Sequence, residues 1–245
     1  MIPSVRIPNA GHPWNVVYAV AAADIPESWL LTGGLMVQLH AIMGGLDVRP
    51  TTDADILADL MADRRGVARL RNILVSRGFE TQPGTLTGYA TRMSTPGGDV
   101  VDLLVADHLP KFLGTDATIA GIPVLSMPGG AQAVERSMRV RLIDERNNAN
   151  VVIRIPDLLG ALILKSAAYS ADHAGYGDRH LYDAAMLASL IPDPDAEIKR
   201  LHSSTDRKRI KLLHDRLTEE SPYWNNLDEL HRQDGLDTIE TLATW

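Results

Sequence analysis

The chain has 245 residues, of which 45% are hydrophobic and 22% charged; this composition excludes disordered and fibrous classes, and the length allows one large domain or two modest ones. It contains no cysteine, which excludes a disulfide framework, a thiolate metal site and a cysteine nucleophile, and a reducing cytoplasm is the expected compartment. A formal net charge of −7 argues against general coating of nucleic acid, and DNA is not expected as a direct partner.

From the N-terminus, Met1 to Pro13 has no apolar stretch of the leader type, and the charge-free run near Leu158 to Leu164 is too short to span a bilayer, so no membrane partner is expected. Trp14 to Ala23 reads as a helix, with Pro26 close after its end. Trp29-Leu30-Leu31 reads as a short buried strand stopped by Thr32-Gly33-Gly34, and Leu35 to Met43 has helical length before Gly44-Gly45 closes it. Thr51, Asp53 and Asp55 then alternate with Thr52, Ala54 and Ile56, which is the period of a strand, and Arg65 to Ser76 has helical spacing ended by Gly78.

Leu86 to Met93 and Val100 to Val105 flank Pro96-Gly97-Gly98, a hairpin signal. Ile119 to Leu125 reads as one more strand, and Val140 to Ile143 with Val151 to Ile155 form a second hairpin around Asn147-Asn148-Ala149-Asn150. Beyond Pro156 the pattern becomes helical, over Leu158 to Ala171, Arg179 to Leu190, Asp195 to Ser203, Asp206 to Glu219 and Leu236 to Thr244. The expected architecture is α+β: a mixed-sheet domain over 1–155 followed by a helical domain over 156–245.

Two carboxylates at i and i+2 on a strand point to one face, and a glycine pair lets backbone N–H groups approach a phosphate. Asp53 and Asp55 have that spacing, with Arg49 and Thr51 expected on the same strand face, Gly33-Gly34 upstream, and Asp102 inside a following strand. Asp193-Pro194-Asp195 repeats the spacing without a glycine turn before it and reads as loop chemistry and helix capping. Asp99 and Asp107 compete with Asp102 for the place of a third carboxylate. His40, on an apolar segment, reads as a packing residue rather than a ligand, and a zinc site has little support. Arg207-Lys208-Arg209 with Lys211 and Arg216 reads as a solvated helix face, with contact to an RNA backbone as the sharper alternative.

Gly33-Gly34 followed by Arg49-x-Thr51-x-Asp53-x-Asp55 resembles the signature of the nucleotidyltransferase superfamily, and most its AbiEii/MenT-type toxin branch. The resemblance implies a polymerase-β-like fold with a C-terminal helical domain, and transfer of NMP from an NTP with release of pyrophosphate. It assigns Asp53 and Asp55 to Mg²⁺, Gly33-Gly34 with Thr32, Arg49 and Thr51 to the nucleotide, and Asp102 to metal binding and proton abstraction from the acceptor. Such chemistry uses two ions roughly 3.5–4 Å apart that clamp the attacking and leaving oxygens.

In the helical part, Lys165 matches the branch's lysine and would meet the β- and γ-phosphates, while Arg179 and Asp183 match a K-D-x-x-D-like segment only in part, because His180 stands where an acid is expected. The plain alternative for Arg179 and Asp183 is an ordinary i, i+4 helix pair. By resemblance the acceptor is the 3′ end of tRNA and the partner a cognate antitoxin. Two other readings stay open: a nucleotidyltransferase acting on an antibiotic or metabolite, favoured by 16 Asp and Glu against 11 Lys and Arg over 151–245, and a nucleotide-binding module without turnover, suggested by His180.

Overall fold

The computed structural model describes residues 2–8, 11–47, 49–82, 89–114, 117–119, 121–146, 148–172, 175 and 177–245. The chain is mixed α+β. Strand β1 (Ser4–Ile7) leads to helix α1 (Trp14–Ala23), strand β2 (Trp29–Thr32) and helix α2 (Gly33–Gly44). Strand β3 (Asp53–Ala58) is followed by α3 (Gly66–Val75), β4 (Glu80–Thr81), β5 (Arg92–Ser94) and β6 (Val100–Ala106). Short elements come next, α4 (Lys111–Gly114), β7 (Thr118–Ile119), β8 (Ile122–Pro123), β9 (Ser126–Met127) and α5 (Gly130–Glu135), before the hairpin of β10 (Ser137–Asp144) and β11 (Asn150–Pro156). The remainder is helical: α6 (Leu158–Ala171), α7 (Asp178–Ser189), α8 (Pro194–Ile198), α9 (Ser204–Arg216) and α10 (Glu229–Ala243).

The central sheet has the order β2-β3-β6-β5-β4, with β9 pairing β6 beyond the point where β5 ends. β3 and β6 run parallel, whereas β2 with β3 and β5 with β6 are antiparallel. A smaller sheet joins β1, β10 and β11. Arg154 on β11 ties the two together by donating to the Glu27 carbonyl at 2.8 Å and to Asp59 at 3.1 Å, just past the end of β3.

Apolar burial explains why these segments fold as they do. Every residue of β2 is buried, as a strand covered on both faces requires. Trp29 and Trp224 are fully buried amid Leu, Ile, Val and Ala, and this apolar core runs without a break from the sheets into α6, α7, α9 and α10. His40 on α2 meets the Pro156 carbonyl at 2.9 Å, and Asp157 caps α6 by accepting from the Gly160 N–H at 2.9 Å. Ser203 and Asp206 form a capping box that starts α9. Among the described residues, no helix is long and apolar enough to cross a membrane.

Several boundaries differ from the sequence expectation. β3 starts at Asp53 rather than Thr51, so Arg49 and Thr51 lie in the segment leading into the strand. The strand expected over Ile119 to Leu125 is broken by Gly121 at φ +81°, giving β7 and β8 as a tight hairpin. β5 begins only at Arg92; of the strand expected from Leu86, residues 86–88 lie outside the described residues. In the helical part α8 ends at Ile198 and α10 begins at Glu229, and β1, α4 and α5 carry no local pattern strong enough to be expected.

Candidate functional site

Strand pairing places the key side chains in one transverse row. Thr32 on β2 is opposite Asp55 on β3, Asp55 is opposite Asp102 on β6, and Asp102 is opposite Arg92 on β5. Residues directly opposite one another across a sheet share a face. Asp53, two residues before Asp55, lies on that same face at the strand's start, where Thr51 Oγ1 donates to its Oδ1 at 2.8 Å.

The first turn of α2 lies directly on this row. Gly33 has φ +64°, and a Cβ there would fall 1.7 Å from Asp55 Oδ2; one on Gly34 would fall 2.7 Å from Thr51 Oγ1. The glycine pair therefore serves a close approach of backbone to carboxylate at the positive end of a helix. Thr32 is fully buried behind the glycines. Its hydroxyl donates to the Asp55 carbonyl at 3.2 Å, so the side chain expected at the nucleotide is a tie between β2 and β3.

Facing the row are α6 and α7. Lys165, 4% exposed, and Asp183, 3% exposed, form a buried pair with Nζ 2.8 Å from Oδ2. Arg49 joins them, its Nε and Nη2 reaching the two oxygens of Asp183 at 3.3 and 3.2 Å. Burial pushes the Asp183 carboxyl up, but Lys165 and Arg49 outweigh it and hold the pKa below the ordinary value. Arg179 does not pair with Asp183; its Nη2 lies 4.0 Å from Asp172 instead. The i, i+4 pair considered for these two residues is thus replaced by an ion cluster joining α6, α7 and the approach to β3.

The row and the cluster enclose a cleft of about 400 Å³ lined by Gly33, Gly34, Arg49, Thr51, Asp53, Asp55, Asp102, Lys165, Arg179 and Asp183. Of the residues singled out in the sequence for a nucleotide and metal site, Thr32 is the one behind the wall. Asp99 and Asp107 do not line the cleft. Asp99 pairs with His12 at 3.5 Å, and Asp107 accepts from the Gly129 and Ala131 N–H groups. His40 is likewise committed to packing, and burial lowers its pKa.

Arg92 and His180 also line the cleft, the first of them not singled out in the sequence. Arg92 grips Asp102 through two hydrogen bonds; its signal is visible only once the hairpin register is known. His180, seen in the sequence as a departure from an acidic pattern, is lowered to about pKa 4 by burial and then by Lys165 and Arg179, so it is a neutral imidazole near pH 7. Its Nδ1 is buried with no hydrogen-bond partner among the described residues.

Asp55 has the opposite perturbation. Burial on the protein side, then Asp53 and Asp102, raise its pKa to about 7. Burial leads this shift and the negative charge of Asp53 and Asp102 adds to it; three carboxylates with only oxygen donors suit a hard divalent cation such as Mg²⁺. Among the described residues no three His, Asp or Glu side chains are already set to hold a metal, in keeping with the engagement of Asp102 by Arg92. Asp53 and Asp55 are the donors left open to the cleft.

The basic residues of α9 are largely occupied within the chain. Arg207 stacks over Trp245 at 5.0 Å and Arg216 over Tyr169 at 5.7 Å. Arg209 donates to Gln132, and Lys211 pairs with Asp215 at 3.1 Å. Compared with protein-family models and with curated proteins, the chain finds no match.

Proposed function

We propose that the protein is a Mg²⁺-dependent nucleotidyltransferase of polymerase-β-like fold that moves NMP from an NTP to a hydroxyl acceptor. The observation that carries this reading is the row that sets Asp55 beside Asp102, with Asp53 on the same face, under the Gly33 turn and opposite Lys165. In the transfer, the acceptor oxygen bonds to the α-phosphorus, the bond to the bridging oxygen breaks, and pyrophosphate leaves with the electron pair. Mg²⁺, when held by Asp53 and Asp55, would neutralise charge on the α-phosphate and on the departing pyrophosphate.

The chain's own residues supply the rest. Backbone N–H groups at Gly33 and Gly34 meet phosphate oxygens at the helix start. Lys165 and Arg49 offer cations to the β- and γ-phosphates, and Asp183 positions both. Asp102, freed from Arg92, takes the proton of the acceptor hydroxyl.

The family resemblance makes the acceptor the 3′ end of tRNA, the protein toxin-like, and a cognate antitoxin its partner. A small hydroxylated acceptor is the second reading, supported by the acid surplus of residues 151–245, where a cationic antibiotic would be attracted. The test is incubation with each α-labelled NTP, Mg²⁺ and total tRNA. Label in RNA supports the first reading, label on an added aminoglycoside the second, and NTP binding without pyrophosphate release reduces the chain to a binding module. Absence of both NTP binding and transfer overturns the proposal. Transfer that survives both Asp53→Ala and Asp55→Ala overturns the site assignment.

A further inference from the structure

His180 stands in the cleft among the cations that a polyphosphate would meet. It belongs to the first turn of α7 and lines the cleft together with Lys165, Arg179 and Asp183. The side chain is 14% exposed, and its Nε2 lies 3.8 Å from Asp172 Oδ2, beyond hydrogen-bond reach. Nδ1 is buried and has no partner among the described residues. A buried nitrogen left unpaired costs stability, and in a cleft lined by cations the missing partner is an anion.

Among the described residues, the charges that act on this ring come from both helices beside it. Lys165 on α6 and Arg179 on α7 disfavour its protonation, whereas Asp183 on α7 and Asp172 at the end of α6 favour it. Burial, with the two cations, prevails and holds the pKa at about 4. The two carboxylates are weakened as partners because cations engage them: Lys165 and Arg49 hold Asp183, and Arg179 lies 4.0 Å from Asp172. An anion entering beside these cations reverses the balance. One negative charge about 5 Å away, at an effective dielectric of about 20, raises a pKa by roughly two, and a terminal phosphate carries up to about two such charges.

We propose that His180 takes up a proton from solvent when a polyphosphate enters the cleft, and that the imidazolium so formed helps Lys165 hold the terminal phosphate, a proposal that rests on the nucleotidyltransferase reading. The residue that departs from the acidic pattern of the sequence thus supplies a positive charge that is present only while a phosphate chain is bound. Without ligand, the ring is neutral and adds nothing to the repulsion between Lys165 and Arg179. When pyrophosphate leaves, the proton returns to solvent. Binding therefore strengthens as pH falls, because the bound state holds a proton that the free state has released.

The test is nitrogen-15 magnetic resonance of the full chain labelled at its eight histidines, in Mg²⁺ with and without inorganic tripolyphosphate. His180→Gln identifies the signal by its loss. Arg179→Ala, at an exposed side chain, identifies it independently, because removing that cation lets this imidazole alone ionise at higher pH; should His180→Gln fail to fold, this variant makes the assignment. The expected result at pH 6 is a neutral ring in the free protein and an imidazolium in the saturated complex. By calorimetry, tripolyphosphate affinity is expected to rise between pH 8 and pH 6 by about tenfold more in the wild type than in His180→Gln, the ligand's own titration being common to both. A ring that stays neutral in the complex, a ring already charged without ligand, or equal pH dependence in the two proteins overturns the proposal and leaves the nucleotide reading standing. Wild-type protein that binds neither tripolyphosphate nor any NTP overturns the nucleotide reading and this proposal with it.

Discussion

Arg92 donates to both oxygens of Asp102, Nε to Oδ1 at 2.9 Å and Nη2 to Oδ2 at 2.7 Å. The third carboxylate of the row is therefore covered by a cation of the chain itself, held by a side chain that is 56% exposed and free to move away. A divalent cation entering beside Asp53 and Asp55 competes with this guanidinium for the same negative charge. Removing one positive charge at that range strengthens cation binding by about 1 kcal/mol, or severalfold. Arg92→Ala is accordingly expected to bind Mn²⁺ more tightly, read by electron paramagnetic resonance of the free ion. Its unfolding free energy should change by only about 0.5 kcal/mol, as for other exposed pairs. Weaker Mn²⁺ binding in this variant would show that Arg92 does not compete with the ion.

Asp55 gives the site a pH dependence of definite sign. Its carboxyl is raised to about 7 in the folded protein, by burial first and by Asp53 and Asp102 next, against an unfolded value near 4. Between those values the folded state holds a proton that the unfolded state has released, so stability falls as pH rises through this window and levels off above about 7. Asp55→Asn removes the ionisation and is expected to be more stable than the wild type at pH 8, by roughly 1–3 kcal/mol, with most of the gain absent at pH 5. Thermal unfolding without divalent ions at the two pH values checks this. Wild-type Mn²⁺ affinity should rise over the same range as the ion displaces the proton. Equal gains at pH 5 and pH 8 would mean that Asp55 does not titrate in this window.

The sequence makes some of this site legible and hides the rest for identifiable reasons. That Asp53 and Asp55 share a face follows from strand periodicity within a few residues. The turn at Pro96-Gly97-Gly98 likewise announces the strand that carries Asp102. The partner of Asp102 is another matter, because Arg92 reaches it only through the pairing register, in which a slip of one residue would turn Arg92 to the other face. Arg49 read as a strand residue, yet β3 starts after it and its guanidinium is fixed by Asp183, 134 positions along the chain. β1 escapes notice for a similar reason: four residues form a strand because Ser4 to Ile7 pair in parallel with Arg141 to Asp144. α10 starts earlier than its apolar spacing indicates because Asp228 caps it by accepting from the His231 N–H at 2.9 Å, ahead of a polar first half.

The Lys165–Asp183 pair makes a prediction of larger size. Both residues are almost fully enclosed, and removing one partner leaves the other as an uncompensated buried charge. Asp183→Ala strands Lys165 and is expected to cost about 3–5 kcal/mol in urea unfolding, and Lys165→Met is expected to strand Asp183 at a similar cost that Arg49 reduces. The double variant Asp183→Ala/Lys165→Met should recover a large part of the loss while abolishing transfer. Additive losses in the double variant would show that the two residues stabilise the fold independently.

Gly33 and Gly45 separate the demands of backbone conformation from those of the site. Both have positive φ, +64° and +74°, but a Cβ at Gly33 would meet Asp55 Oδ2 at 1.7 Å whereas one at Gly45 meets nothing within 4 Å. Gly45→Ala therefore carries conformational strain alone, about 1 kcal/mol, with Mn²⁺ affinity unchanged. Gly33→Ala carries the same strain and must also drive the Asp55 carboxylate off the first turn of α2. The expected cost is about 3 kcal/mol or more, together with loss of Mn²⁺ binding and of transfer. The comparison is made at matched folded fractions, from urea unfolding curves and Mn²⁺ titration of each variant. If Gly33→Ala kept wild-type Mn²⁺ affinity, Asp55 would not need its seat against the glycine turn, and the glycine pair would lose its part in the site.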